Sequence, residues 1–143
     1  MPEVSRSVLV GHSPEQMFAL VDDVEKYPEF MPWCGGTTVI YRDERITRAT
    51  ILIDYHHIKH SFTTENTKQR PSLMGIRLVH GPFRKLDGTW KFIDLEGRGC
   101  KIEFRLHYEF ASHLLEKLAG PVFHYIASTF VDAFVKRAER LFG

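Results

Sequence analysis

Cysteine is scarce in this sequence and charge imbalance is scarcer: Cys34 and Cys100 are its only thiols, and 19 Lys+Arg stand against 18 Asp+Glu over 143 residues. Two cysteines without CxxC spacing exclude a disulfide scaffold and a thioredoxin-like pair, and they are expected as free thiols in a reducing compartment. A formal charge of +1 excludes the basic footprint that direct, non-specific DNA binding needs. There is no GxSxG elbow, and Gly35-Gly36 leads into a strand rather than a phosphate-binding helix. The opening residues have neither an apolar core nor an Arg-rich presequence, and no apolar run of about 18 residues stands out as a membrane span. The expectation is a cytoplasmic protein, in at most peripheral contact with the inner membrane.

What the chain has in excess is aromatic surface: 13% of it is Phe, Trp or Tyr, including 11 Phe. Rings this large have few places to hide in a domain of this size, so they line a space or face a partner. The length fits one domain, residues 1–143, and no linker or repeat divides it.

Periodicity supplies the architecture. Residues 3–11 read as a strand, and Ser13-Pro14-Glu15-Gln16 is a capping box with proline at the first helical position. Met17, Phe18, Leu20 and Val21 form the apolar face of a short helix, Asp22 and Asp23 end it, and Val24–Phe30 is a second short helical piece. Strands follow over 37–42, 46–54 and 58–64, around 74–78, over 83–93 with a bulge or bend at Asp87-Gly88, and over 100–110. The last alternates Cys100, Ile102, Phe104, Leu106, Tyr108 and Phe110 against a charged face, as an antiparallel sheet with one wet side does. A long helix from Ser112, kinked near Gly120-Pro121, is apolar over far more than one stripe and is expected to cover the inner face. Strand, two short helices, six strands and one long helix is the α+β helix-grip order: a curved antiparallel sheet wrapped around a C-terminal helix.

Three blocks carry a resemblance: Glu15-Gln16-Met17-Phe18, the run Asp23 to Cys34 with Tyr27-Pro28-Glu29-Phe30-Met31-Pro32-Trp33, and the run Gly81 to Phe92. Tyr108-Glu109-Phe110 and Ala133 to Ala138 add to it. In these the chain resembles the coenzyme Q-binding, START-like family of the polyketide cyclase and lipid-transfer (Bet v 1-like) superfamily, whose bacterial branch includes ribosome association toxins. The resemblance implies an apolar tunnel between sheet and helix for ubiquinone or a related polyisoprenoid quinone, in support of respiratory electron transport and without catalysis. For the bacterial branch it also implies binding to the large ribosomal subunit.

Strand parity and helix period place Phe62, Leu78, Trp90, Phe92, Phe104, Tyr108, Phe123 and Phe130 inward as candidate ligand-binding residues, each also explicable as plain core. His60 and Tyr108 are the inward polar groups able to reach a quinone carbonyl. Trp33 and Phe83 sit in Pro-broken apolar loops and are expected at a cavity mouth that touches membrane. No catalytic residue and no required cofactor is expected beyond the bound quinone. A metal site is not expected either: His56 and His57, as neighbours on a strand, point to opposite faces, and Asp22-Asp23-Val24-Glu25 reads as a solvated acidic loop. Lys59, Arg77, Lys101 and Arg105, with Lys136, Arg137 and Arg140, are candidates for a ribosome-facing patch but read more simply as a solvated face.

Overall fold

In the computed structural model, which describes residues 2–143, the chain forms β1 (Glu3–Val10), α1 (Pro14–Asp22) and a 3₁₀ helix (Val24–Glu29). Then come β2 (Cys34–Arg42), β3 (Ile46–Tyr55), β4 (Ile58–Gln69), β5 (Leu73–His80), β6 (Phe83–Asp94), β7 (Cys100–Phe110) and α2 (His113–Phe142). Met1, the first residue of the expected domain, lies outside the described residues. The strands form one antiparallel sheet in the order β1-β7-β6-β5-β4-β3-β2, a meander closed by the return of β1 to the last strand. This is the helix-grip arrangement.

The local signals act as their chemistry dictates. Ser13 Oγ accepts from the Gln16 amide at 3.1 Å while the Gln16 side chain accepts from the Ser13 amide at 3.0 Å, so α1 starts with two otherwise orphaned donors satisfied. Ser112 Oγ caps α2 by accepting from the Leu115 amide at 3.2 Å, without a reciprocal bond. In β7 Cys100, Ile102, Phe104, Leu106, Tyr108 and Phe110 are all buried. α2 runs for 30 residues, about 45 Å at 1.5 Å per residue, and lays Phe123, Ile126, Val131 and Phe134 on the sheet. The helix continues through Pro121.

Five expectations need correction. β6 pairs with β7 in unbroken register through Asp87 and Gly88, and the register shift lies at Phe83–Lys85. Gly88 is instead a close approach, where a Cβ would stand 2.5 Å from the Arg105 carbonyl oxygen. β4 runs five residues beyond Thr64. His56 and His57 are not strand residues: both have positive φ, 48° and 68°, and form the two-residue turn between Tyr55 and Ile58.

The acidic loop is not solvated at Asp22, whose buried carboxylate takes Lys68 Nζ at 3.1 Å, Arg70 Nη2 at 2.8 Å and the Thr47 hydroxyl at 2.8 Å. This knot ties the end of α1 to β3 and β4. Finally, α2 does contain an 18-residue window apolar enough, by length and composition, to cross a membrane, and 33% of that window is buried.

Candidate functional site

Between the inner face of the sheet and the middle of α2 lies a cavity of about 70 Å³. Its walls are almost wholly apolar: Ala49 and Ile51 come from β3, Trp90 from β6, Phe104 and Leu106 from β7, and Ile126 and Ala127 from α2. The void arises where small side chains meet, since Ala49 and Ala127 are both buried on the wall and neither reaches across. It has room for a few waters and is well short of the ~300 Å³ of a typical ligand pocket.

Two polar side chains of β4 reach this wall, Thr64 and Asn66. Asn66 donates to Met74 Sδ at 3.8 Å, and its Oδ1 is buried without a hydrogen-bond partner. An unpaired buried acceptor costs about 1–3 kcal/mol. The Tyr27 hydroxyl is spent on the Val21 carbonyl at 2.5 Å, and burial drives its pKa far above the ordinary tyrosine value.

The cavity continues in two directions. Phe62 and Phe123 separate it from a recess of about 10 Å³ lined by Ile58, His60, Pro82, Phe83 and Phe110. On the other side Trp33, which borders both, stands between it and an open groove of about 450 Å³. That groove runs between the Phe30–Trp33 segment and the C-terminal half of α2. Its floor includes Tyr55 stacked on Tyr125 at 6.1 Å, and its rim carries Asp132, Lys136, Arg137 and Arg140.

The expected site residues are therefore distributed. Trp33, Phe62, Trp90, Phe104, Phe123 and Phe130 all border the central cavity, whereas His60 and Phe83 border the recess. Tyr108 is buried but off the wall, its hydroxyl 3.3 Å from His124 Nδ1, and burial raises its pKa. Leu78 is half-buried, packed on the core and off the cavity wall. Phe92 is likewise core, stacked on Trp90 at 5.8 Å and edge-on to Phe18 at 5.8 Å. Trp33 and Phe83, expected at one mouth, stand at opposite ends of the run of spaces. Sequence reasoning missed Thr64 and Asn66, although they continue the inward positions Ile58, His60 and Phe62.

The charged groups sort by partner. On the outer sheet face Arg77 pairs with Glu65 at 2.7 Å, Lys101 with Glu103 at 3.4 Å and Arg105 with Glu3 at 3.5 Å, while Lys59 has no carboxylate partner among the described residues. In the groove Arg137 reaches Glu29 at 2.8 Å and lies over the Phe30 ring, while Lys136 and Arg140 have no carboxylate partner among the described residues. The expected single patch is therefore two separate surfaces. The Cys34 and Cys100 thiols are free and buried, and burial pushes Cys100 up to about 11, so neither is an activated nucleophile.

Comparison with known proteins places this geometry. Residues 10–135 match the family described as polyketide cyclase / dehydrase and lipid transport. A ribosome association toxin of Vibrio cholerae is 41% identical over 143 residues, covering 100% of this chain and 99% of that protein. A mitochondrial coenzyme Q-binding protein homologue of Xenopus laevis is 31% identical over 99% of this chain and 59% of its own length. Among solved structures, an aromatase/cyclase from a Streptomyces species superposes with a TM-score of 0.79 at 13% identity, covering 97% of this chain and 94% of its own, a likeness of fold alone. The chain is a member of the polyketide cyclase / dehydrase and lipid transport family, with the START-like helix-grip fold.

Proposed function

We propose that this protein binds a long hydrophobic ligand, ubiquinone or a related polyisoprenoid quinone, in the space between sheet and α2, and does no chemistry on it. One observation carries the reading: an apolar cavity walled by Trp90, Phe104 and Phe130, with Asn66 in its wall and the Asn66 Oδ1 buried without a hydrogen-bond partner. Apolar walls with one or two fixed polar groups are what a site for a greasy ring and tail requires. Burial of the ligand supplies about 25 cal/mol per Å², and Asn66 or Thr64 orients the oxygenated head. An aromatase or cyclase needs convergent acid and base groups, and the titratable group on this wall, Tyr27, is already committed. The quinone-binding name of the Xenopus relative supports the ligand class.

Both tryptophans of the chain, Trp33 and Trp90, border the cavity. Lipid extraction and mass spectrometry of the protein purified from its own host are expected to recover a quinone, and added quinone is expected to quench tryptophan fluorescence saturably. An empty protein with linear, unsaturable quenching would sink the proposal.

The full-length identity to a protein named as a ribosome association toxin favours a second reading, that this chain contacts the large ribosomal subunit. Lys136 and Arg140 are then the contact cations. Co-sedimentation with purified large subunits is expected to weaken as salt rises; no co-sedimentation at low salt removes this reading.

A further inference from the structure

Asn66 carries a polar atom that the fold leaves unserved, and the reason lies in its neighbours. It occupies an inward position of β4, beside Thr64 on its own strand and opposite Ile76 of β5, and all three line the cavity. Two donors next to it in the sheet are committed elsewhere. Thr47, its register partner on β3, donates its hydroxyl to Asp22 at 2.8 Å, and Lys68, two residues further along β4, gives its ammonium to the same carboxylate at 3.1 Å. The knot that anchors α1 thus takes up the hydrogen-bond donors beside Asn66.

The orientation of the amide follows from Met74. A thioether sulfur accepts and does not donate, so the NH₂ end of the amide faces Met74 Sδ at 3.8 Å, and turning it over would set oxygen against sulfur. Oδ1 is the atom left over, buried and without a partner. It can only accept.

Such an acceptor sorts ligands by what they donate. The ring of an oxidised ubiquinone carries carbonyl and methoxy oxygens, which accept and have no hydrogen to give, whereas the reduced ring carries two hydroxyls, which do both. The Thr64 hydroxyl and the indole N–H groups of Trp33 and Trp90 can serve an oxygen of either form, so they do not discriminate. Asn66 Oδ1 does: beside a carbonyl it stays unpaired, and beside a hydroxyl it gains a hydrogen bond.

We infer that the cavity selects its ligand in the reduced, hydroxylated form, a quinol over the corresponding quinone, with a ring hydroxyl donating to Asn66 Oδ1. This selection rests on the reading that the cavity takes a polyisoprenoid quinone, and its test separates the two. One recovered hydrogen bond corresponds to about tenfold in affinity. By linkage, tenfold tighter binding of the reduced form raises the midpoint potential of the bound couple by about 30 mV. The bound ligand is then harder to oxidise than the free one.

Anaerobic calorimetric titrations with a short-tailed ubiquinol and the matching ubiquinone test the selection. Wild type is expected to bind the quinol about tenfold more tightly. Asn66→Leu, close in shape and without the acceptor, is expected to bind the two forms equally, whereas Thr64→Val weakens both and keeps the ratio. Urea denaturation supplies a second readout, since loss of an unpaired buried acceptor should leave Asn66→Leu at least as stable as wild type.

Equal affinities in wild type, or a quinol preference that survives in Asn66→Leu, would overturn the selection and leave the ligand reading intact. A markedly destabilised Asn66→Leu would mean that Oδ1 is already paired, and the selection falls with its cause. If wild type binds neither form, the quinone reading itself fails and takes the selection with it.

Discussion

Phe18 and Phe130 approach the same sheet from two different helices, yet only Phe130 stands beside empty space. Around Phe18 of α1 the packing is close: Met17, Phe18, Phe92, Cys100 and Ile102 are at most 1% exposed, and Phe18 sits edge-on to Phe92. Under the middle of α2 the facing residues include Ala49 and Ala127, Phe62 and Phe130 are only partly buried, and a void remains. Aromatics are present at both ends, so rings alone do not mark a binding site. The void lies where small residues sit between them, while the end carrying the Asp22 knot is anchored. A carrier needs both, one end that does not move and one that can.

The sharpest way to break this contrast is to truncate equivalent rings. Phe18→Ala is expected to cost ~3–5 kcal/mol, the range for a fully packed phenylalanine, and Phe130→Ala about 2 kcal/mol or less because part of its surface is already exposed. Urea denaturation of both variants measures the difference, and equal losses would contradict it. Next in size is Asp22→Ala, which leaves the buried Lys68 ammonium, 1% exposed at its side chain, without its counter-charge. The expected loss is ~3 kcal/mol, whereas Asp22→Ala together with Lys68→Met is expected to recover much of it.

Filling the hollow end should act in the opposite direction. Ala127→Val places methyl groups in the cavity and is expected to raise stability by ~0.5–2 kcal/mol while weakening quinone binding. A destabilised Ala127→Val with unchanged binding would show that the space is not where the ligand goes. The smallest effect concerns the rim of the anchored end, where two hydrogen bonds from Arg42 hold the Glu25 carboxylate down to about 2. Because the folded-state pKa is depressed, this pair contributes stability above the ordinary glutamate value of 4.5 and loses it as pH falls towards about 2. Both side chains are largely exposed, so solvent screening limits the effect to under ~1 kcal/mol; urea midpoints of wild type and Glu25→Gln across that window should converge at the acid end.

How much of this was legible in the sequence differs between the same two regions. The capping box, the alternation of β7 and the broad apolar surface of α2 follow from short-range rules, and with the order of elements they suffice for the fold. The walls of the cavity were half legible, because parity places Phe62, Trp90 and Phe104 inward but cannot tell a ring that borders space from one that is packed, as Phe92 is. Thr64, Asn66 and Lys68 were illegible for a different reason. They occupy inward positions of β4, yet polar side chains there read as the end of a strand, and only the tertiary partners Asp22 and the cavity itself explain them. His56-His57 misled similarly, since a type I′ turn normally announces itself with Asn or Gly.

The contrast between the two ends is tested most directly by an amide NMR titration with a short-tailed ubiquinone. Saturable shifts are expected at Ala49, Ile51, Asn66, Ile126 and Ala127, with Phe18, Phe92 and Cys100 nearly silent. Shifts centred on the α1 end, or none that saturate, would contradict a ligand site under α2.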